Sequence, residues 1–206
     1  SAGFKYVIAG GLASALFLIG TIYLYRVTGT LNIDGMILTA QGSEVLTGGA
    51  GFVAVFLVVA ALLIELKPFP ANGWALDVYE ASEPAVASII SVGTSGGIVA
   101  ALYKIVPMIP GPQLSVLVGV GVLTFGLSNL MGLRQRQVRR MLGYSSVAQL
   151  GLVVATVSLA HLQDWSVGTS LLVGGGLLVN HLLAKGGLFW IASSLGFEGL
   201  ADLASR

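Results

Sequence analysis

The chain has 206 residues, of which 55% are hydrophobic and only 9% are charged, and its mean hydropathy is +0.91. A soluble domain carries about 25% charged residues, so this composition excludes a soluble globular protein, and the high hydrophobicity excludes a disordered chain. Cysteine is absent, which excludes disulfides and thiolate-bound metal or iron–sulfur sites. A formal net charge of +1 gives no argument for binding nucleic acid. An all-α, polytopic transmembrane helix bundle remains.

Six apolar stretches are long enough to cross a bilayer, which takes about 20 residues each. In chain order, they cover residues 4–25, 46–66, 84–106, 114–133, 138–162 and 167–195. Between the first two we expect a polar loop. Pro68 and Pro70 follow the second stretch, and because each lacks a backbone N–H, they predict one broken helix there. The six stretches together predict a single transmembrane domain over residues 1–206.

The distribution of basic residues predicts how the bundle lies in the membrane. An even number of spans places both termini on the same side. That side carries seven of the basic residues, namely Lys5, Lys67, Arg134, Arg136, Arg139, Arg140 and Arg206. The opposite side carries Arg26 and Lys104. Because short basic loops stay on the inner side of a membrane, both termini are predicted on the cytoplasmic or, in an organelle, the matrix side.

Glu65 and Lys67 end the second span beside the proline break. An ionisable residue inside a membrane is costly and is therefore a functional candidate. Two positions apart on a regular helix, these side chains would point to nearly opposite sides, although a broken helix often lines a polar cavity. The alternative is that the span simply ends here, with both side chains in the interface region.

His181 and Lys185 are four residues apart, deep in the sixth span, and therefore share one helix face. Burial disfavours the charged form of lysine, and histidine changes its charge near neutral pH. Two such groups on one face could pass protons in steps. The alternative is a lysine that pairs with a carboxylate and serves only helix packing. No spacing in the chain indicates a hydrolytic site or a metal site, so we expect no metal.

Four segments resemble one family of membrane proteins. Residues 139–151, RRMLGYSSVAQLG, resemble the Lys-Arg-Leu-Leu-Ala-Tyr-Ser-Ser motif of the antiporter-like subunits of respiratory complex I and of Mrp antiporters. Residues 74–80, WALDVYE, resemble the family's Trp-x-Pro-Asp-Val-Tyr-Glu segment, and residues 4–32 resemble the start of the subunit-2 type. Residues 180–189, NHLLAKGGLF, resemble a pattern that is commoner in the subunit-5 type and in Mrp antiporters. The resemblance covers nearly the whole chain.

The resemblance implies proton translocation in the membrane arm of NADH:ubiquinone oxidoreductase, driven by electron transfer elsewhere in the complex. The chain itself would hold no cofactor and would catalyse no redox step. It would match roughly the sixth to the eleventh helix of the family fold, which implies a split subunit. Its partners would be other membrane-arm subunits, including chains that supply the flanking helices, together with lipids. The expected location is the mitochondrial inner membrane, with a bacterial plasma membrane as the alternative.

The sequence departs from the family pattern at two lysine positions. When Trp74 and Asp77 are aligned, the family's lysine on the broken helix falls at Glu65. Either Lys67 takes over that role after a local shift, or the position has become acidic. The family's next lysine falls at Ser95.

Three hypotheses therefore stay open. The first is a proton-translocating part of complex I, with a path made of Glu65, Lys67, His181 and Lys185. The second is a structural part of the same arm that no longer pumps. The third is a subunit of an Mrp-type cation/proton antiporter or of a membrane-bound hydrogenase.

Overall fold

The structure is a computed structural model that describes residues 1–194, and this part of the chain consists of helices joined by short connections, without a strand. Its α-helices are α1 (Ala2–Thr28), α2 (Ile33–Gly42), α3 (Gly49–Leu66), α4 (Gly73–Ala81), α5 (Pro84–Ile89), α6 (Ser95–Ile105), α7 (Gly111–Gly132), α8 (Val138–Leu162), α9 (Val167–Ser170) and α10 (Gly176–Ser194). Two π-helical turns, Ile90–Thr94 and Leu171–Gly175, join α5 to α6 and α9 to α10.

Six segments of the described chain are long and apolar enough to cross a membrane. They are Ala2–Thr28, Gly49–Leu66, Ala85–Met108, Gly111–Gly132, Val138–Leu162 and Val167–Ala192. The predicted all-α bundle with six spans is confirmed. The predicted end of the sixth span, residue 195, lies outside the described residues.

One helix lies where the sequence predicted only a polar loop. The side chain of Asn32 accepts hydrogen bonds from the backbone N–H groups of Asp34 and Gly35, at 2.9 and 3.3 Å. Such an N-cap satisfies donors that a helix start leaves free, and α2 follows it. The prediction of an unstructured connection was wrong here because a polar segment with a good cap can still form a helix.

The predicted break after the second span is confirmed. The helix α3 ends at Leu66, and Lys67 follows in the left-handed conformation with φ of 60°. The N–H of Lys67 still donates to the carbonyl oxygen of Leu63 at 2.9 Å, which closes the last turn. A left-handed residue and two prolines cannot continue a right-handed helix. Helical structure therefore resumes only at Gly73, where α4 begins.

The helix α8 is the centre of the bundle, since more of its residues are buried than on any other described helix. It packs against α7 at a very short distance. A Cβ atom on Gly121 would lie 2.6 Å from the carbonyl oxygen of Gly151, and one on Gly151 would lie 2.8 Å from that of Gly121. Only glycine permits this approach of two backbones. Many large apolar side chains on α1, α7 and α10 face outward, as lipid or neighbouring membrane helices require.

Ion pairs at one end of the bundle fix α4 to α1 and α8. Asp77 accepts a hydrogen bond from Lys5 and lies 3.2 Å from Arg140, which also lies 2.6 Å from Glu80. The hydrogen bond from Lys5, with the positive charges of Lys5 and Arg140, holds the pKa of the Asp77 carboxyl below its ordinary value of 3.8. We call Lys5, Asp77, Glu80 and Arg140 the ionic cluster. Its side chains are partly exposed, between 25% and 56%.

Candidate functional site

Lys67 lies inside the protein and not on the surface. The sequence counted it with the basic residues of the inner side and also proposed it for the proton path, and the side chain is 0% exposed. Its Nζ donates to the Oγ of Ser95 at 2.7 Å, and lies 5.9 and 6.0 Å from the ring centres of Trp74 and Tyr79. Both rings are close enough to stabilise a cation through their π electrons. The left-handed turn at the end of α3 is what directs this lysine towards the following span.

The π-helical turn in the third span supplies an additional acceptor. The extra residue in such a turn changes the usual backbone pairing, and the carbonyl oxygen of Ile90 accepts from three side chains. Thr94 donates to it at 2.6 Å, Ser95 at 3.3 Å and Lys67 at 3.4 Å. Ser95 therefore accepts from Lys67 and donates to Ile90, so the position that carries a lysine in the family pattern holds a hydroxyl bonded to a lysine here.

His181 lies on α10 and bridges two other spans. It is 0% exposed. Its Nε2 lies 3.1 Å from the carbonyl oxygen of Ser91 in the π-helical turn, and its Nδ1 lies 3.1 Å from the side-chain oxygen of Gln149 on α8. The hydroxyl of Ser91 also lies 2.8 Å from that of Ser146. The imidazole thus joins three helical segments through polar contacts.

Lys185 lies one helical turn beyond His181 and borders a cavity. It is 2% exposed, and its Nζ donates to the Oγ of Ser145 at 2.6 Å. The cavity has a volume of about 240 Å³ and extends to Leu133, which precedes the α7–α8 turn. Ser128 lines it with a buried hydroxyl that has no hydrogen-bond partner among the described residues. A cavity of this size has room for several water molecules, and the polar groups of Ser128, Ser145 and Lys185 lie in its largely apolar wall.

These groups form what we call the polar row. It consists of Lys67, Ser95, Ser91, His181, Gln149, Lys185 and Ser145. Within residues 1–194, neither Lys67 nor Lys185 forms an ion pair with a carboxylate. The packing alternative, which required a lysine–carboxylate pair, therefore finds no such pair in the described chain. Nor do three metal-ligating side chains come together in that part of the chain.

Glu65 is the one predicted site residue that stands apart from this row. It is partly buried and lines a largely apolar groove of about 550 Å³ together with side chains such as Phe17 of α1 and Ile98 of α6. It makes no hydrogen bond or ion pair with Lys67 in the described residues, as the spacing of two positions on a helix predicts. The structure thus brings together three of the four predicted residues and places the fourth elsewhere.

Sequence reasoning missed the hydroxyl and amide members of the polar row. A usable signal was present, because Ser91 and Ser95 are four residues apart, as are Ser145 and Gln149. Polar pairs at this spacing share a helix face, as His181 and Lys185 do. Two such pairs in otherwise apolar spans point to one polar interface, although the sequence gives no distance between the spans.

The sequence of the chain matches a known family over nearly all of its length. The family of NADH:quinone oxidoreductase and Mrp antiporter transmembrane proteins matches residues 1–202. The chain belongs to this family. The resemblance inferred from residues 139–151 and 180–189 is thereby confirmed.

Individual members of the antiporter family are moderately similar to this chain. NADH-quinone oxidoreductase subunit N of Desulforudis audaxviator is 31% identical over 205 residues, which cover 96% of this chain and 39% of the relative. A chain of the Mrp complex from Dietzia sp. DQ12-45-1b is 30% identical with a TM-score of 0.77, and 91% of this chain matches 34% of that one. A chain of respiratory complex I from Thermus thermophilus is 28% identical with a TM-score of 0.74. The match covers 93% of this chain and 40% of that one.

This member of the antiporter family spans about two fifths of the length of these relatives. Its relatives are bacterial and archaeal proteins, and it is embedded in a membrane. A plasma membrane fits these relatives, whereas the mitochondrial location stays a prediction without support from them.

Proposed function

We propose that this chain moves protons within the membrane arm of an NADH:quinone oxidoreductase, using Lys67, His181 and Lys185 as the groups that take up and release them. The observation that carries the proposal is the polar row. Two buried lysines and a buried histidine each hydrogen-bond to polar groups of a neighbouring span, in three groups that together involve four helical segments. Family membership supports a place in this complex, because a relative that matches 96% of the chain is named NADH-quinone oxidoreductase subunit N.

Among residues 1–194 no carboxylate pairs with the lysines of the polar row, which makes these lysines responsive to distant charge. A buried ammonium group without a counter-ion is held only by dipoles and aromatic rings. Each change of about 1.4 kcal/mol in the local electrostatic energy alters its protonation tenfold. A modest electrostatic or conformational change in a neighbouring subunit can therefore load or unload Lys67 and Lys185. The chain needs no redox centre of its own for this step.

The cavity beside Lys185 gives the row an access point. It extends to the α7–α8 turn, where Arg134 and Arg136 lie, and the ionic cluster at the start of α8 lies at the same end of the bundle. Since basic segments remain on the cytoplasmic side, we assign this end, with the start of α1, to the cytoplasm of a prokaryotic cell. Protons would then enter the row from the cytoplasm through this cavity.

Lys67 takes the role of the family's lysine on the broken helix in this proposal. The reason is that Lys67 is buried against Ser95, whereas Glu65 faces a different groove. The shift of two positions is made possible by the left-handed residue that ends α3. The proposed path within this chain therefore runs through three of the predicted residues and does not include Glu65.

Other membrane subunits are the expected partners of this chain. The chain spans about two fifths of its relatives, and its solved neighbours belong to multi-subunit complexes. We propose that its outward apolar faces contact lipids and other membrane-arm subunits.

The test is proton stoichiometry in liposomes that contain the whole complex. Lys185→Met keeps the apolar stem but removes the ammonium group, and should lower the number of protons moved per NADH oxidised. Lys104→Met is the matched control, because Lys104 is 53% exposed and pairs with Asp34 at the opposite end of the bundle. It should leave the ratio unchanged. An unaltered ratio in an assembled Lys185→Met complex would mean that the chain is a structural part of the arm.

A second candidate function is cation/proton exchange in an Mrp-type antiporter. It is favoured by the similarity to the Dietzia Mrp chain, whose TM-score of 0.77 exceeds the 0.74 found for the complex I chain. The two functions differ in their driving force. Acidification or alkalinisation of liposomes by a sodium gradient without NADH would support exchange, whereas dependence on NADH would support the leading proposal.

A further inference from the structure

The hydrogen bonds of His181 are not equivalent at its two ring nitrogens. The carbonyl oxygen of Ser91 can only accept a hydrogen bond, so the Nε2 that lies 3.1 Å from it carries a proton. A neutral imidazole has one N–H only. The Nδ1 atom must therefore act as an acceptor when the ring is neutral and as a donor when the ring is charged. When His181 changes its protonation state, the proton is therefore gained or lost at Nδ1.

The partner of Nδ1 is a group that can hydrogen-bond to both the neutral and the charged ring. Gln149 has an amide with an acceptor oxygen at one end and a donor NH₂ at the other. Its oxygen lies 3.1 Å from Nδ1, which suits the charged ring. A half-turn of the amide, whose two ends are almost equal in size, brings the NH₂ to the same place and suits the neutral ring. Bulk water cannot replace this partner because His181 is 0% exposed.

We propose that Gln149 is a positioning residue that keeps His181 hydrogen-bonded in both of its protonation states by turning its side-chain amide. The inference rests on the proposed function, and it specifies how one step in the row is regulated. In that step, an ammonium group or a protonated water gives up a proton while the Nδ1 lone pair binds it. The ring gains one positive charge, the donor loses one, and no bond between heavy atoms changes.

Of the groups around His181, Gln149 is the uncharged side chain that can change its hydrogen bond to Nδ1. The charged groups that act on the ring are Lys185 on the same helix and Lys67 at the end of α3. From the third span the ring faces the backbone of Ser91, and from α8 it faces Gln149. The hydroxyls of Ser91 and Ser146 bond to each other. Among these groups Gln149 is the one within hydrogen-bond distance of Nδ1, and its amide carries both a donor and an acceptor.

The test compares two substitutions that should act in opposite directions. Gln149→Glu offers Nδ1 an acceptor that carries charge, so it favours the protonated ring. Gln149→Leu removes the partner and disfavours the protonated ring more than the neutral ring, because an unpaired charged donor is the more costly one. The measurement is the pH profile of NADH-driven proton pumping in liposomes that contain the assembled complex. The glutamate variant should move the profile to higher pH and the leucine variant to lower pH, each by about one pH unit.

A merely structural role of Gln149 would reduce pumping without moving the profile. Profiles that stay at the position of the unmodified complex in both variants would therefore overturn the inference. If the leucine variant does not assemble, the glutamate variant decides alone, and an unmoved profile again overturns it. Lys185→Met separates this failure from that of the proposed function. Pumping lost in Lys185→Met with unmoved Gln149 profiles refutes only the role of Gln149, whereas pumping retained in Lys185→Met refutes both.

Discussion

The ionic cluster and the polar row both contain two cationic side chains, but they hold them in opposite ways. In the ionic cluster, Lys5 and Arg140 face two carboxylates and remain partly exposed. In the polar row, Lys67 and Lys185 are buried and face hydroxyls, a carbonyl oxygen and aromatic rings. Compensated charges keep their protonation state, and they fix one helix to another. Charges without a carboxylate can lose their proton when their surroundings change, which is what a proton carrier requires.

The largest effect is expected when the buried ammonium of Lys67 is removed. Lys67→Met should abolish the proton movement that depends on this chain, because it interrupts the row at the broken helix. It should not lower the thermal stability of the assembled complex, since replacing a buried charge by an apolar side chain is often neutral or stabilising. Lys5→Met in the ionic cluster is the matched control. Proton pumping in liposomes and a melting curve of the complex measure both outcomes. Equal pumping in the two variants would remove the distinction between the two regions.

A smaller effect is expected from the acceptor of Lys185. Ser145→Ala removes the oxygen that lies 2.6 Å from the Nζ atom and leaves the ammonium group without that bond. A lost hydrogen bond to a charged group costs about 1.5–3 kcal/mol, so we expect pumping to slow by about tenfold or more. Ser115→Ala is the control, because Ser115 is exposed and its hydroxyl only bonds its own helix, at the carbonyl of Gly111. The same rate in both variants would place Ser145 outside the path.

The sequence predicted the two regions unequally. Hydropathy and the prolines predicted six spans and the break, because these depend on local composition. The spacing of His181 and Lys185 predicted a shared face correctly. For Lys67 the sequence left open a place in the path or in the interface region, since a single residue in the left-handed conformation decides whether it points into the bundle. The bond of Ser95 to Lys67 and the role of Gln149 were not predicted because they depend on distances between spans, which hydropathy does not encode.

The ionic cluster should affect stability and not proton movement. Asp77→Asn removes a charge that pairs with Lys5 and Arg140. Because these side chains are partly exposed, we expect a loss of only about 1 kcal/mol in the free energy of unfolding. Asp34→Asn, which affects the more exposed pair with Lys104, should cost less. Melting curves of the complex measure the difference. A loss of proton pumping in an Asp77→Asn complex that remains assembled would show that the cluster belongs to the path.

The smallest effect is the pH dependence of the stability that Asp77 contributes to the complex. The pKa of Asp77 lies below its ordinary value of 3.8 in the folded chain. A carboxyl whose pKa is lowered by folding contributes stability that is fully present above its unfolded pKa and is lost as the pH falls through the folded pKa. The difference in melting temperature between the unmodified complex and Asp77→Asn should therefore be constant between pH 7 and pH 5. It should shrink only in strong acid. A difference that already disappears near pH 6 would contradict this assignment.

The central claim is that buried lysines of the polar row carry protons. It is tested most directly by the number of protons moved per NADH in liposomes that contain the complex with Lys67→Met and Lys185→Met combined. The account predicts a lower ratio than in the unmodified complex, with the complex still assembled and still oxidising NADH. It also predicts that the double variant is no worse than either single variant, because both lysines belong to one path. An unchanged ratio in the double variant would contradict the claim.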